Sequence, residues 1–479
     1  MKRRTFIKQA GAGAGGLAAL SLYEILDQNS AEAYSTSGGM GIEEVLHILE
    51  RGKEKNTRPE IRPEIRNNPH AVFLMETHVD AFRDESGHFT EAVPQLQSEG
   101  TRVAEQLFVK GSQRGGSTFI KPNFTYVFDN SYNRTTGVYS SPDFIVGVVD
   151  HLRAIGNTNL ACGEGPTEAR NHRLGGVYDA FDPAGIPMIE AGYESFSHFR
   201  KNELNWLKTS DSLVWKQIPV FRPMGDEDNF MINIATLKNH LTGLTTLSVK
   251  NMQGCVPKGY GQFCTPWSDI ERRAKFDGIN FKRDFHKDFY QQVEASFLKH
   301  RNAGFKRWDP RGCYRRYEEK GGWEVFKKVK NNPEDLKEFM SGIGALMHHE
   351  MWMQRGLDNA KTLKPHLNII EGIIGLDGDE LHRDRIGDDQ LCNIVIAGVS
   401  PFEVDAVGSY IMGHDPRELW YTRVAKEKGL GECDVSKIAI YWIRDNGEII
   451  PVKNLAEIKR YRLGVNWARM KNPAERLFW

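Results

Sequence analysis

A chain of 479 residues with 63 Lys/Arg against 63 Asp/Glu carries no net charge, and 40% of it is apolar. That balance excludes a globally basic nucleic-acid binder, and the length is ample for a large buried core, as one elaborated domain or two to three smaller ones. The six cysteines, Cys162, Cys255, Cys264, Cys313, Cys392 and Cys433, form no C-x-x-C pair, so neither an iron–sulfur cluster nor a tetra-cysteine zinc framework is signalled. Buried free thiols are expected, with one disulfide as the alternative.

In chain order, Lys2-Arg3-Arg4-Thr5-Phe6-Ile7-Lys8 comes first and fits the adjacent-arginine export pattern. A glycine-laden apolar run from Ala10 to Leu22 follows, then Ala31-Glu32-Ala33, a small-x-small site for signal peptidase. Residues 1–33 are read as a leader cleaved after Ala33 and handled by the twin-arginine translocase, which places the mature chain in the periplasm or outside the cell. The competing reading is a basic tail on a short amphipathic helix. The apolar run is shorter than the ~20 residues of a membrane span, so no permanent membrane anchor is expected. Gly11, Gly13 and Gly16 match G-x-G-x-x-G, but no strand precedes them and the dinucleotide reading fails. The leader holds four Lys/Arg and three Asp/Glu, leaving 59 positive against 60 negative charges and nothing to recruit nucleic acid.

Residues 34–70 are polar, with Pro59, Pro63 and Pro69 breaking any long helix, and read as an arm lying on the body. Alternation then begins. Ala71–Met75 is a strand, Gly100–Val109 has helical spacing, and Ser117–Ile120 is a strand ending in Lys121-Pro122-Asn123. Pro142–Ala154 is predicted as a helix capped by Ser141, and Asn159–Cys162 as a strand ending in Gly163-Glu164-Gly165-Pro166. Further strands are predicted at Pro187–Glu190, Gln217–Phe221, Phe230–Ile234, Leu367–Ile370 and Asn393–Ala397. Short apolar strands separated by helices imply an α/β fold, a mainly parallel sheet with helices on both faces. Residues 71–257 form its first part, 258–335 a helical insertion, and 336–479 its second part with a carboxy-terminal extension. Between Lys258 and Lys330, 18 Lys/Arg face 10 Asp/Glu, with 15 aromatic residues interleaved. Packing of those aromatics on the body, with Lys and Arg stems in water, is the favoured reading over a nucleic-acid surface.

Ligand sites of open α/β sheets lie beyond the carboxyl ends of strands. Lys121 and Asn123 leave one strand end, Glu164 another, and the stretch from Asn233 to Gly254 supplies Lys238, His240, Lys250 and Asn251. Ammonium groups, amides and flexible glycines together can neutralise and orient an anion. The expectation is that Lys121, Lys238 and Lys250 converge on one cleft, with Lys238, His240 and Lys250 catalytic and Lys121, Asn123, Glu164 and Asn251 holding substrate. A second set, Glu371, Asp377, Asp405 and His349, with Asp379 and His382 nearby, offers ligands for a divalent metal. Solvated loop carboxylates are the alternative. No H-E-x-x-H, G-x-S-x-G or G-x-x-x-x-G-K-[ST] motif is present.

Ile120-Lys121-Pro122-Asn123, Ser141-Pro142, Gly163-Glu164-Gly165-Pro166, Ile232-Asn233, Leu237-Lys238-Asn239-His240 and Val249-Lys250-Asn251-Met252-Gln253-Gly254 together resemble domain-of-unknown-function family 362. Pro365-His366-Leu367-Asn368-Ile369-Ile370-Glu371-Gly372, Ala397-Gly398, Asp405-Ala406 and Gly413 extend the resemblance over roughly residues 115–435. It implies an α/β domain without an assigned reaction, in some members joined to ferredoxin modules whose cysteine pattern is missing here. Leu376-Asp377-Gly378 stands where family members tend to carry a Met-Glu-Gly-like turn. The resulting reading is an exported enzyme acting on a small anionic substrate, with metal assistance as an option. The alternatives are a non-catalytic binding protein for an anionic ligand and a surface assembly protein acting through residues 258–330.

Overall fold

A computed structural model describes residues 39–80, 82–83, 89–90, 93–124, 136–165, 172–173, 175–191, 199–210, 217–240, 244–257, 328, 355–378, 388–417 and 419–464. Apart from Lys328 these belong to one compact unit made of Gly39–Lys299 and His348–Asn466. The leader, the rest of the aromatic-basic insertion, His349, Asp379, His382, Cys264 and Cys313 lie outside the described residues.

Ten strands form one sheet: β1 (Val72–Glu76), β2 (Ser117–Lys121), β3 (Leu160–Glu164), β4 (Met188–Glu190), β5 (Asn229–His240), β6 (Leu244–Thr246), β7 (Leu367–Asp377), β8 (Asp388–Gly398), β9 (Ile440–Ile443) and β10 (Ile449–Pro451). Their spatial order is β10-β9-β1-β8-β7-β5-β2-β3-β4, with β6 folded back on β5. From β7 to β4 the neighbours are parallel, while β8 runs antiparallel to both β7 and β1. The parallel strands β2 and β3 are buried along their whole length, with Phe119 and Ile120 in β2 and Leu160, Ala161 and Cys162 in β3 as their apolar residues.

One face is covered by α1 (Val93–Leu107) and α2 (Pro142–Ala154), which bury Phe144 and Val148 against Ile232, Ile234 and Ile369. The other carries the four-residue α3 (Ser248–Asn251) and α4 (Pro401–Ile411), where Val404 and Val407 meet Ala235, Leu237 and Ile370. Helix α2 starts as its sequence dictates, with the Ser141 Oγ accepting the Phe144 N–H at 3.2 Å and Pro142 in the first turn. Helices α1 and α2 cross closely enough that a Cβ on Gly147 would lie 1.9 Å from the Gln97 carbonyl oxygen, and one on Gly100 2.0 Å from that of Phe144.

Three differences from the sequence reading have plain causes. The arm contains an amphipathic helix, Ile42–Gly52, burying Ile42, Val45 and Leu49, because its prolines all fall after that segment. Gln217–Phe221 pairs with Leu204–Lys208 in a separate hairpin. Strands β5, β7 and β8 run well past the predicted apolar segments, since pairing on both sides satisfies their backbone even where Thr236, Lys238 and Asn239 interrupt the apolar pattern. Cys162, Cys255, Cys392 and Cys433 are buried free thiols. Among the described residues no helix is long and apolar enough to cross a membrane.

Candidate functional site

At the carboxyl ends of β2 and β3, the Lys121 ammonium lies 2.7 Å from Glu164 Oε1, fully buried. It also donates to the Pro122 carbonyl at 2.6 Å and to Asn251 Oδ1 at 3.1 Å. Glu164 accepts the Phe124 N–H at 2.8 Å and the Gly165 N–H at 3.0 Å. Asn123 Nδ2 donates to Asn251 Oδ1 at 3.1 Å, and Asn251 Nδ2 donates to Asn233 Oδ1 at 2.7 Å. Asn233 Nδ2 continues to Asn368 Oδ1 at 2.8 Å, so a chain of amides runs from β2 across β5 to β7. Gly254 closes over the ion pair: a Cβ there would fall 2.1 Å from Glu164 Oε1 and 2.7 Å from Lys121 Nζ. The neighbouring Cys255 thiol is pushed up to about 12 by burial, against the opposing pull of Lys121. Asn123 Oδ1 is buried without a hydrogen-bond partner among the described residues, in a cluster otherwise closely satisfied.

The three expected amines do not share a cleft. Because β5 continues as a strand through His240, its side chains alternate. Thr236 and Lys238 fall with Ile232 and Ile234 on the α2 face, where Lys238 Nζ donates to the Val138 carbonyl at 2.5 Å and Thr236 Oγ1 to that of Gly137 at 3.3 Å. Lys121 lies on the α3 face with Asn233 and Asn251. His240 is buried at the end of β5, paired with Leu244 in β6, and Lys250 is half-buried on α3.

Glu371, Asp377 and Asp405 do not assemble a metal site either. Glu371 points to the α2 face, where its carboxylate accepts the Ser141 N–H at 3.2 Å and the Ile373 N–H at 3.0 Å. Asp405 belongs to α4 on the other face and accepts the N–H groups of Ser248 at 2.7 Å and Val249 at 3.1 Å, and the Tyr421 hydroxyl at 3.2 Å. Asp377, at the far end of β7, accepts the Gly464 N–H at 2.8 Å. Each carboxylate serves backbone donors of a different segment, and among the described residues no group of three His, Cys, Asp or Glu side chains is placed to hold a metal.

Burial pushes both Glu371 and Asp405 up to about 7, with backbone N–H donors opposing it. A carboxyl whose proton is held more tightly in the folded state contributes stability below its ordinary range, near 4, and loses it as pH rises through the folded value. Urea midpoints are therefore expected to fall between about pH 4 and 7 and to level off above, each tenfold change in proton affinity being worth about 1.4 kcal/mol. Glu371→Gln should flatten that fall; an unchanged slope in this variant would refute the assignment.

The sequence reading passed over Ser140, Asn368, His172 and Glu190. Ser140 Oγ links the Asn123 N–H, at 3.1 Å, to the Ile234 carbonyl, at 2.9 Å. An amide inside an otherwise apolar strand was the available signal for Asn368, and an acid closing the predicted strand Pro187–Glu190 was the one for Glu190. A cleft of about 280 Å³ opens near the opposite strand ends, beside Ser117, Lys53 and Arg222. Its cations are already neutralised, Lys53 by Glu50 and Asp228 and Arg222 by Asp226. The buried cluster at the carboxyl ends is the stronger chemical candidate.

A mixed ten-stranded sheet clad on both faces, with polar groups gathered beyond the carboxyl ends of its parallel strands, defines an open-sheet α/β protein. Within that class the chain belongs to the family described as a domain of unknown function, DUF362, which matches residues 118–410. The match takes in Lys121, Asn123, Glu164, Asn233, Asn251, Glu371 and Asp405. No curated protein and no solved structure matches the chain.

Proposed function

We propose that the protein is an exported enzyme that handles a small carboxylated or phosphorylated substrate at the carboxyl ends of β2 and β3, beside Asn233 of β5, with Lys121, Asn123, Glu164 and Asn251 as the binding groups. The observation that carries this reading is the buried Lys121–Glu164 pair set in an amide network. A buried ion pair adds little net stability over apolar packing of the same volume, so its position where open sheets take ligands favours a chemical role. The three Lys121 donors are engaged by Glu164, Asn251 and Pro122. An entering anion exchanges with one of these partners, and the Asn123 amide turns toward it. Lys238, His240 and Lys250 lie outside this group. The test is calorimetric titration of inorganic phosphate and of small mono- and dicarboxylates into the protein and into Asn123→Ala. Binding weakened at least tenfold in the variant, with the fold retained, is expected; equal binding by both, or none by the parent, defeats the reading.

Export rests on Arg3-Arg4 and the Ala31-Glu32-Ala33 site. Changing both arginines to lysine should leave uncleaved precursor in the cytoplasm, as read by fractionation and immunoblotting. Normal processing of that variant would rule the pathway out.

A further inference from the structure

Beside the ion pair, at the carboxyl end of β4, stands a second group of titratable side chains. Glu190 is the register partner of Glu164 in the adjacent strand. Its Oε1 is 3.0 Å from His172 Nδ1 and also accepts the Tyr178 hydroxyl. The Arg173 guanidinium lies 5.9 Å over the Tyr178 ring. The His172 ring meets Phe124 edge-on, with centroids 5.7 Å apart, and the Phe124 N–H is the one held by Glu164. His172 is therefore one residue removed from the Lys121–Glu164 pair.

A carboxylate oxygen that accepts the Tyr178 hydroxyl presents an acceptor to His172, which fixes the proton on Nδ1 and leaves the lone pair on Nε2. Nε2 is buried and has no hydrogen-bond partner among the described residues. Leaving such an atom unsatisfied is unfavourable, and a packing imidazole would be expected to have both nitrogens occupied. An oriented ring with one vacant nitrogen beside a charged cluster has the arrangement of a general base held by a carboxylate.

We infer that His172 is the proton-transfer residue of the carboxyl-end site and that Glu190 is its positioning residue. The inference rests on the ligand site proposed above. A hydroxyl of the bound substrate, or a water beside it, gives its proton to Nε2, and the O–H electron pair stays on that oxygen. The imidazolium formed keeps its Nδ1–H on the Glu190 carboxylate, and the reverse transfer returns the proton from Nε2 to that oxygen. Lys121 supplies fixed positive charge to the anion, while His172 supplies the mobile proton.

The test is carbethoxylation with diethyl pyrocarbonate, an electrophile attacked by a neutral imidazole nitrogen, followed site by site by mass spectrometry on the full-length protein. His70 and His78 are exposed and serve as internal references. His172, being buried, is expected to react more slowly than they do but still under native conditions, and Glu190→Gln to slow it several-fold further while His70 and His78 are unaffected. Inertness of His172 until the protein unfolds, or a rate indifferent to Glu190→Gln, overturns the inference. Phosphate takes no part in this measurement, so failure of the ligand reading and failure of the base are seen separately. Should Glu190→Gln fail to fold, Tyr178→Phe supplies the second variant. It removes the other donor on Glu190, and a His172 rate altered relative to His70 is then expected; an unaltered one again overturns the inference.

Discussion

Lys121→Met is expected to destabilise the protein by about 3–5 kcal/mol, because removing one member of a buried ion pair strands the other. Glu164 keeps the N–H groups of Phe124 and Gly165, which places the loss toward the lower end of that span. The burial of Lys121 and the short 2.7 Å contact make the ammonium the close charge partner that the carboxylate would lose. Lys121→Met combined with Glu164→Met should recover most of the loss, since an apolar pair leaves no stranded charge. Denaturant midpoints of the two single variants and the double variant decide it. A double variant as unstable as Lys121→Met alone would show that the amide network, rather than the charge pair, governs local stability.

Gly147→Val is expected to cost at least about 3 kcal/mol, at the upper end of overpacking effects. A Cβ at this position would lie 1.9 Å from the Gln97 carbonyl oxygen and 2.7 Å from the Thr101 amide nitrogen. These are backbone atoms of α1 and have no alternative rotamer, so the helices must separate. Separation also breaks the hydrogen bond from Thr101 Oγ1 to the Gly147 carbonyl, now 3.1 Å. Gly464→Ala provides the contrast, with nothing within 4 Å of its Cβ and a shift within about 0.5 kcal/mol expected. Thermal melts of the two variants test the comparison, and a mild effect at Gly147 would mean that the helix pair is free to slide.

The elements that sequence reveals best are those whose signals are local. Ser141 and Pro142 announce α2 without reference to anything distant, and the short apolar segments within β2 and β3 stand close to turn residues. Strand β5 shows where that stops. Its first half is apolar, but Thr236, Lys238 and Asn239 look like a polar loop until the partners β6 and β7 are known. The same gap decided which of the residues grouped from sequence come together in space. Lys121, Asn123, Glu164 and Asn251 gather because three of them end or follow adjacent strands and Asn251 ends α3, which packs over them. Lys238 was grouped with them as a loop residue, and the alternation of a strand carries it to the other face. Glu371 and Asp405 looked like metal ligands because both are acids in polar company, yet burial and backbone donors occupy both. His172 carries no periodic or spacing signal, and only its approach to Glu190 in space gives it meaning.

The margins of the ten-stranded sheet have a bearing on how this protein behaves in company. Its outermost strands, β4 and β10, are three residues each. Met40 already forms a bridge to Ile189 on one side, and Pro451 ends the other with a residue that has no amide hydrogen. Long bare edges invite a neighbouring chain to add a strand, the first step of ordered aggregation, whereas short and partly occupied ones offer too few free donors and acceptors to hold it. A sheet of this width thus ends in margins that discourage growth, and copies of the chain at high local concentration should stay apart along that direction.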